Sequence, residues 1–179
     1  MKGKILFTLS LGILCGLIYV TKITPDGNNK DMHLKVDYTA TSLEDLTNNS
    51  SIVVEATVNN EQEEIDYSGI TFTLSEIKIN NIIKGDNLLK NDTVLLLQTN
   101  SYEDPVVEKG SKKILFLNKY EGPIVENAYV CTGLYQGNFT VNEDNTISTS
   151  TKYSNNITNV FVNKSKDELE KSIKKINKN

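Results

Sequence analysis

The sequence predicts a mainly β fold: one small barrel or sandwich of five to seven strands, with a short helical turn before it and a helix after it. Three observations carry that expectation. Short β-branched and apolar runs recur from residue 52 to residue 148, punctuated by Gly, Asn and Asp clusters. Only the last stretch of the chain has a sustained helical period. Several short strands with little helix bury their edges only by closing or stacking. At 179 residues the chain has room for one such domain behind an apolar N-terminal segment.

Met1-Lys2-Gly3-Lys4 is positively charged, and Ile5 to Val20 is an uncharged run of 16 residues. That length falls between a signal-peptide apolar region and a full membrane-spanning helix. With the lysines retained in the cytoplasm, the rest of the chain is expected beyond the membrane. Three fates stay open. No Ala-x-Ala-like site follows the run, which favours a retained signal anchor at 1–20 over cleavage and release. The third is lipidation at Cys15, where bulky Leu14 occupies the position at which a lipobox has Gly, Ala or Ser. Residues 21–41 hold Pro25, Gly27, Asn28, Asn29 and the sole histidine, His33, and read as a flexible spacer.

The barrel domain is expected over 42–163. Ser42, with Asp45 three residues on, caps a short helical turn. Ile52 to Val58 is a β-branched strand, and Glu61-Gln62-Glu63-Glu64 reads as a polar loop. Ile70 to Ile79 alternates over its first half and should have one wet face, closing at Lys84-Gly85-Asp86-Asn87. Thr93 to Leu97 is short and apolar throughout, as a central strand is. Lys112 to Leu117 and Ala128 to Cys131 follow. Asn138 to Val141 and Thr146 to Ser148 flank Asn142-Glu143-Asp144-Asn145 as a hairpin. Ser165-Lys166-Asp167-Glu168 is a capping box that opens a helix in 164–179, with Leu169, Ile173 and Ile176 on one stripe.

These runs carry a resemblance. Ser50 to Val58, the strand ending in Ile82-Ile83-Lys84-Gly85-Asp86, Val94-Leu95-Leu96 and Gly110 to Leu117 resemble the OB-fold barrel of tissue inhibitors of metalloproteinases and netrin-like modules. Gly133-Leu134-Tyr135-Gln136-Gly137-Asn138-Phe139 is similar to a segment of exported Gram-positive bacterial proteins. The resemblance spans about residues 42–141 and implies an OB-like barrel. Metalloproteinase inhibitors of that family chelate zinc through an N-terminal cysteine. This chain has none near the start of the domain, so the resemblance does not imply that mechanism here.

Charge and composition exclude several classes. Residues 25–163 hold 10 Lys against 20 Asp plus Glu, and the chain has no Arg. Phosphate contacts need basic surface and Arg supplies most bidentate readout, so no nucleic-acid partner is expected. Cys15 and Cys131 are the only cysteines and lie in different regions, which excludes a disulfide scaffold. Without a His or Cys cluster no transition-metal site or cofactor is expected. The acidic groups Glu61, Glu63, Glu64, Asp66 and Glu143, Asp144 lack calcium-loop spacing and read as solvated charge. Ser75 and Lys78 lie on opposite faces of one strand, so no nucleophile–base pair forms there.

Two segments remain as candidate partner-binding residues. Tyr135, Gln136 and Gly137 combine stacking area, amide hydrogen bonding and close backbone approach; the competing reading is a structural corner. Tyr102, in Tyr102-Glu103-Asp104-Pro105, is the second. The expectation is a non-catalytic extracytoplasmic module, attached to the membrane through its N-terminal segment and binding a protein or cell-wall partner. The alternative is an extracellular hydrolase inhibitor, and an enzyme comes third.

Overall fold

A long antiparallel hairpin organises the domain. Strand β1 (Ile52–Tyr67) turns at Ser68-Gly69 into β2 (Ile70–Lys84), and the two pair along their length. Ser68 and Gly69 both have positive φ (54° and 80°), which matches the right-handed twist of a two-residue hairpin. Thr71 Oγ1 donates to Asp66 Oδ1 at 2.6 Å across the turn. Three register irregularities, the widest between Val58 and Gln62, bend β1. The structure, a computed structural model, describes residues 38–101, 103–149 and 156–178. It also describes the backbone of two short paired strands, Ile18–Tyr19 and Lys35–Val36.

The hairpin is curled into a closed barrel by three further strands. β3 (Thr93–Gln98) pairs with Thr73–Lys78 of β2. β4 (Lys112–Lys119) pairs with Ile52–Thr57 of β1. β5 (Ala128–Cys131) bridges them, parallel to β3 and antiparallel to β4. The ring order β1-β2-β3-β5-β4-β1 leaves no open edge in the barrel. The OB-like barrel expected from the sequence is therefore present. β6 (Asn138–Val141) adds to the first half of β4 and hairpins into β7 (Ile147–Ser148).

Alternation along each strand sorts the side chains into separate cores. Val54, Ala56, Val58, Ile77, Ile79, Leu96, Leu115 and Leu117 fill the barrel. The opposite faces of β1 and β4 send Val53, Ile114 and Phe116 outward into a second core with Phe139 and Ile147. The Phe116 and Phe139 rings meet there with centroids 5.8 Å apart. Helix α1 (Leu43–Asn48) contributes Leu46, and the four-residue α2 (Asn156–Asn159) contributes Ile157. Helix α3 (Lys166–Ile176) closes this core with Leu169 and Ile173, both fully buried. Leu169 and Ile173 of the stripe read from the sequence thus lie in the domain's interior.

The helix ends are fastened by side chains. Ser42 Oγ accepts from the Asp45 N–H at 3.0 Å. Lys84 Nζ donates to the carbonyls of Thr47 (2.6 Å) and Ser50 (2.8 Å), where the dipole of α1 favours a cation. Ser165 and Glu168 form the predicted capping box. Lys166 reaches Glu55 of β1 at 3.0 Å and ties α3 to the barrel.

Two expectations are corrected. Glu61-Gln62-Glu63-Glu64 is strand, because the ladder to Leu74 and Ser75 continues through it despite its low β-propensity. The flexible spacer does not run to Thr41. Tyr38 packs on the second core, Ala40 is buried, and Thr41 N–H donates to Asp45 Oδ2 at 2.8 Å. Cys15 and His33 lie outside the described residues.

Candidate functional site

One end of the barrel gathers most of the buried polar side chains. It is built by the β3–β4 connection (residues 99–111) and by the turn between β5 and β6. Gln98, Thr99, Ser101, Asp104, Lys113, Thr132, Gln136 and Asn138 are all buried.

Asp104 is the anchor of the connection. Its Oδ2 accepts from Thr99 N–H at 2.8 Å and from Thr99 Oγ1 at 3.3 Å, and its Oδ1 accepts from Gln98 Nε2 at 3.3 Å. Ser101 Oγ in turn accepts from the Asp104 N–H at 3.1 Å. Gln98 completes the staple: Nε2 donates to Pro105 O (2.8 Å) and Oε1 accepts from Val107 N–H (3.0 Å). Burial pushes the Asp104 carboxyl up to about 6, partly opposed by its hydrogen bonds to Thr99 and Gln98.

Lys113 and Cys131 lie behind this staple. Lys113 Nζ donates to Thr140 Oγ1 at 2.8 Å, and burial lowers its pKa. Cys131 is a free, buried thiol. Burial first, and then the Asp104 charge, drive its pKa far up, so the reactive thiolate is suppressed. Cys131 packs as a small apolar side chain of the barrel core.

The predicted segment Tyr135-Gln136-Gly137 forms a 3-10 turn, Leu134–Gly137. Gly133 precedes it and Leu134 opens it, with φ of +63° and +54°; for a leucine that conformation stores strain of about 1–3 kcal/mol. Gln136 and Gly137 face inward, a correction to their reading as partner-binding residues. Gln136 is 1% exposed; its Oε1 accepts from Ala40 N–H (2.8 Å) and its Nε2 donates to Ala40 O (3.1 Å). A Cβ on Gly137 would overlap the Thr132 carbonyl oxygen and lie 3.1 Å from Phe116 O. These two hold the corner together. Tyr135 is half-buried, and its N–H donates to Glu103 O at 3.2 Å.

That last bond unites the two segments singled out in the sequence. Tyr135 and the neighbour of Tyr102 touch although they are far apart in the chain. Tyr102 itself lies outside the described residues. Sequence reasoning missed Asp104, Gln98 and Lys113 as the framework of this end. The Ser101 and Asp104 pair, three residues apart and followed by Pro105, is the signal that marks a side-chain-stapled loop.

Among the described residues no group of three His, Cys, Asp or Glu side chains is placed to hold a metal ion. No helix among them is long and apolar enough to cross a membrane. On the β1–β2 arm Glu63 lies on one face, and Glu64 and Asp66 lie on the other. No protein-family model matches this chain, and no curated protein shows a significant match to it.

Proposed function

We propose that the protein is a non-catalytic extracytoplasmic module that binds a protein or cell-wall partner through the barrel end formed by residues 99–107 and 133–137. The observation that carries this reading is the stapled loop joined to the Tyr135 turn. A buried carboxylate, a buried glutamine and a strained Leu134 together hold two surface segments in one shape. Loops fixed in advance lose less conformational entropy on binding, and strained, over-determined backbone concentrates at functional sites. The sequence adds support: the leader directs export, and the lone His33 and the buried Cys131 leave little nucleophilic chemistry. The same rigid loop suits the second reading, an inhibitor of an extracellular hydrolase.

The test compares three forms of the full chain on intact cells: wild type, Tyr135→Ala and Tyr67→Ala. Tyr67 is 41% exposed on the distant hairpin arm. A partner retained by wild type and Tyr67→Ala but lost by Tyr135→Ala supports the reading. Equal retention by all three, or loss through Tyr67→Ala alone, overturns it. Loss of a hydrolase's activity on adding the chain selects the inhibitor.

A further inference from the structure

Helix α3 has two faces. Leu169, Ile173 and Ile176 lie on the side turned to the second core. At about 100° per residue, Lys171, Lys174, Lys175 and Lys178 lie on the opposite side. All four are exposed. Lys166 is engaged by Glu55 and Glu170, and Lys174 reaches Glu170 at 3.0 Å while its side chain stays half exposed. Lys171, Lys175 and Lys178 have no carboxylate partner among the described residues. The first turn holds Asp167 and Glu168, so the cationic surface is the C-terminal two turns.

This basic face is an exception on an acidic protein. Residues 164–179 hold 6 Lys against 3 acids, whereas 25–163 hold 10 Lys against 20 acids. Its place relative to the leader is also specific. Tyr38 and Leu43, where the chain joins the domain, pack on the same core as Leu169 and Ile173. Ile18–Tyr19 pairs with Lys35–Val36, so the end of the apolar run lies beside the chain two residues before Tyr38. The leader therefore delivers the domain to within reach of a membrane on the α3 side.

We infer that the lysine face of α3 is an electrostatic docking surface for an anionic lipid bilayer. The inference rests on the reading that the apolar leader holds the chain at a membrane. Lysines brought within a Debye length of an anionic surface, about 10 Å, are drawn to it. The acidic barrel is repelled by the same surface, so the domain settles with α3 inward.

Lysine footprinting of the intact full-length chain tests this. The chain is reconstituted with vesicles of phosphatidylcholine, or of phosphatidylcholine mixed with phosphatidylglycerol, and acylated briefly. With the anionic vesicles, Lys171, Lys174, Lys175 and Lys178 should react about tenfold more slowly than exposed Lys90 and Lys112, and high salt should abolish the difference. Lys175→Glu with Lys178→Glu should return Lys171 and Lys174 to the Lys90 rate. Equal rates on the two vesicle types, with the chain floating on both, overturn the docking surface and leave the anchor reading intact. Failure to float on phosphatidylcholine overturns the anchor reading and this inference with it. Stronger protection by a soluble phosphate polymer than by anionic vesicles reassigns the face to wall polymer and overturns the lipid.

Discussion

Replacing Gln136 tests the account of the corner that holds Tyr135. The side chain is 1% exposed and makes two hydrogen bonds to Ala40, at 2.8 and 3.1 Å. Gln136→Ala leaves the Ala40 N–H and C=O without partners at a buried position and opens a void. One unpartnered buried group costs about 1–3 kcal/mol. Detachment of residues 38–41 lets water reach both groups and limits the total to about 2–4 kcal/mol. Gln136→Glu should cost at least as much, because a carboxylate can accept from Ala40 N–H but offers no donor to Ala40 O. Urea unfolding gives the total, and amide exchange over residues 38–46 locates it. Both variants should exchange faster at that segment. A loss below about 0.5 kcal/mol with unchanged exchange would refute the reasoning.

Three further outcomes are expected. The Asp104 carboxyl is raised to about 6 in the fold, against an ordinary value near 3.9 when unfolded. The folded chain thus holds its proton more tightly, and this group's contribution to stability rises by up to about 3 kcal/mol as pH falls through that window. Asp45, held low chiefly by the Thr41 N–H, acts in the opposite sense, as does Asp144, so the quantity to read is the difference between wild type and Asp104→Asn. Urea midpoints between about pH 4 and pH 7 should show a shallower gain on acidification in the variant, and parallel curves would contradict the burial argument. Lys113→Met removes a buried cation held by Thr140 and should be neutral or stabilising by up to about 2 kcal/mol; a clear loss in urea unfolding would mean that the ammonium is better satisfied than its single hydroxyl contact indicates. Gly137→Ala should lose about 1–3 kcal/mol in thermal or urea unfolding, because the added methyl meets backbone oxygens that cannot move aside; unchanged stability would show that the corner is not tightly packed.

Much of the barrel was legible because alternation and turn chemistry are local. Val94 to Leu97 reads as central strand since both faces are buried, one in the barrel and one under Phe72 and Ala128. The second half of β1 was not legible. Asn59 to Glu64 has loop composition, and only pairing with β2 makes it strand; Ser68-Gly69 between Tyr67 and Ile70 was the missed hairpin signal. The two candidate segments were marked in the sequence, but their packing was not. Tyr135 and Tyr102 were marked from residue type alone. That Gln136 turns inward depends on Ala40, 96 residues away, which no local pattern reports. Asp104 was read only as part of the Tyr102 segment, and its burial follows from the folding of the β3–β4 connection back onto Gln98 and Thr99.

The central claim is that residues 99–107 and 133–137 form one recognition surface. Site-specific photocrosslinking of the full chain on intact cells tests it most directly. A photoreactive residue is placed at 135, at 103, or at 88; Leu88 is 80% exposed in the β2–β3 turn, at the opposite end of β3. A common adduct from 135 and 103 that is absent from 88 is expected. An adduct of the same kind from 88, or none from 135 and 103 while 88 crosslinks, would contradict it.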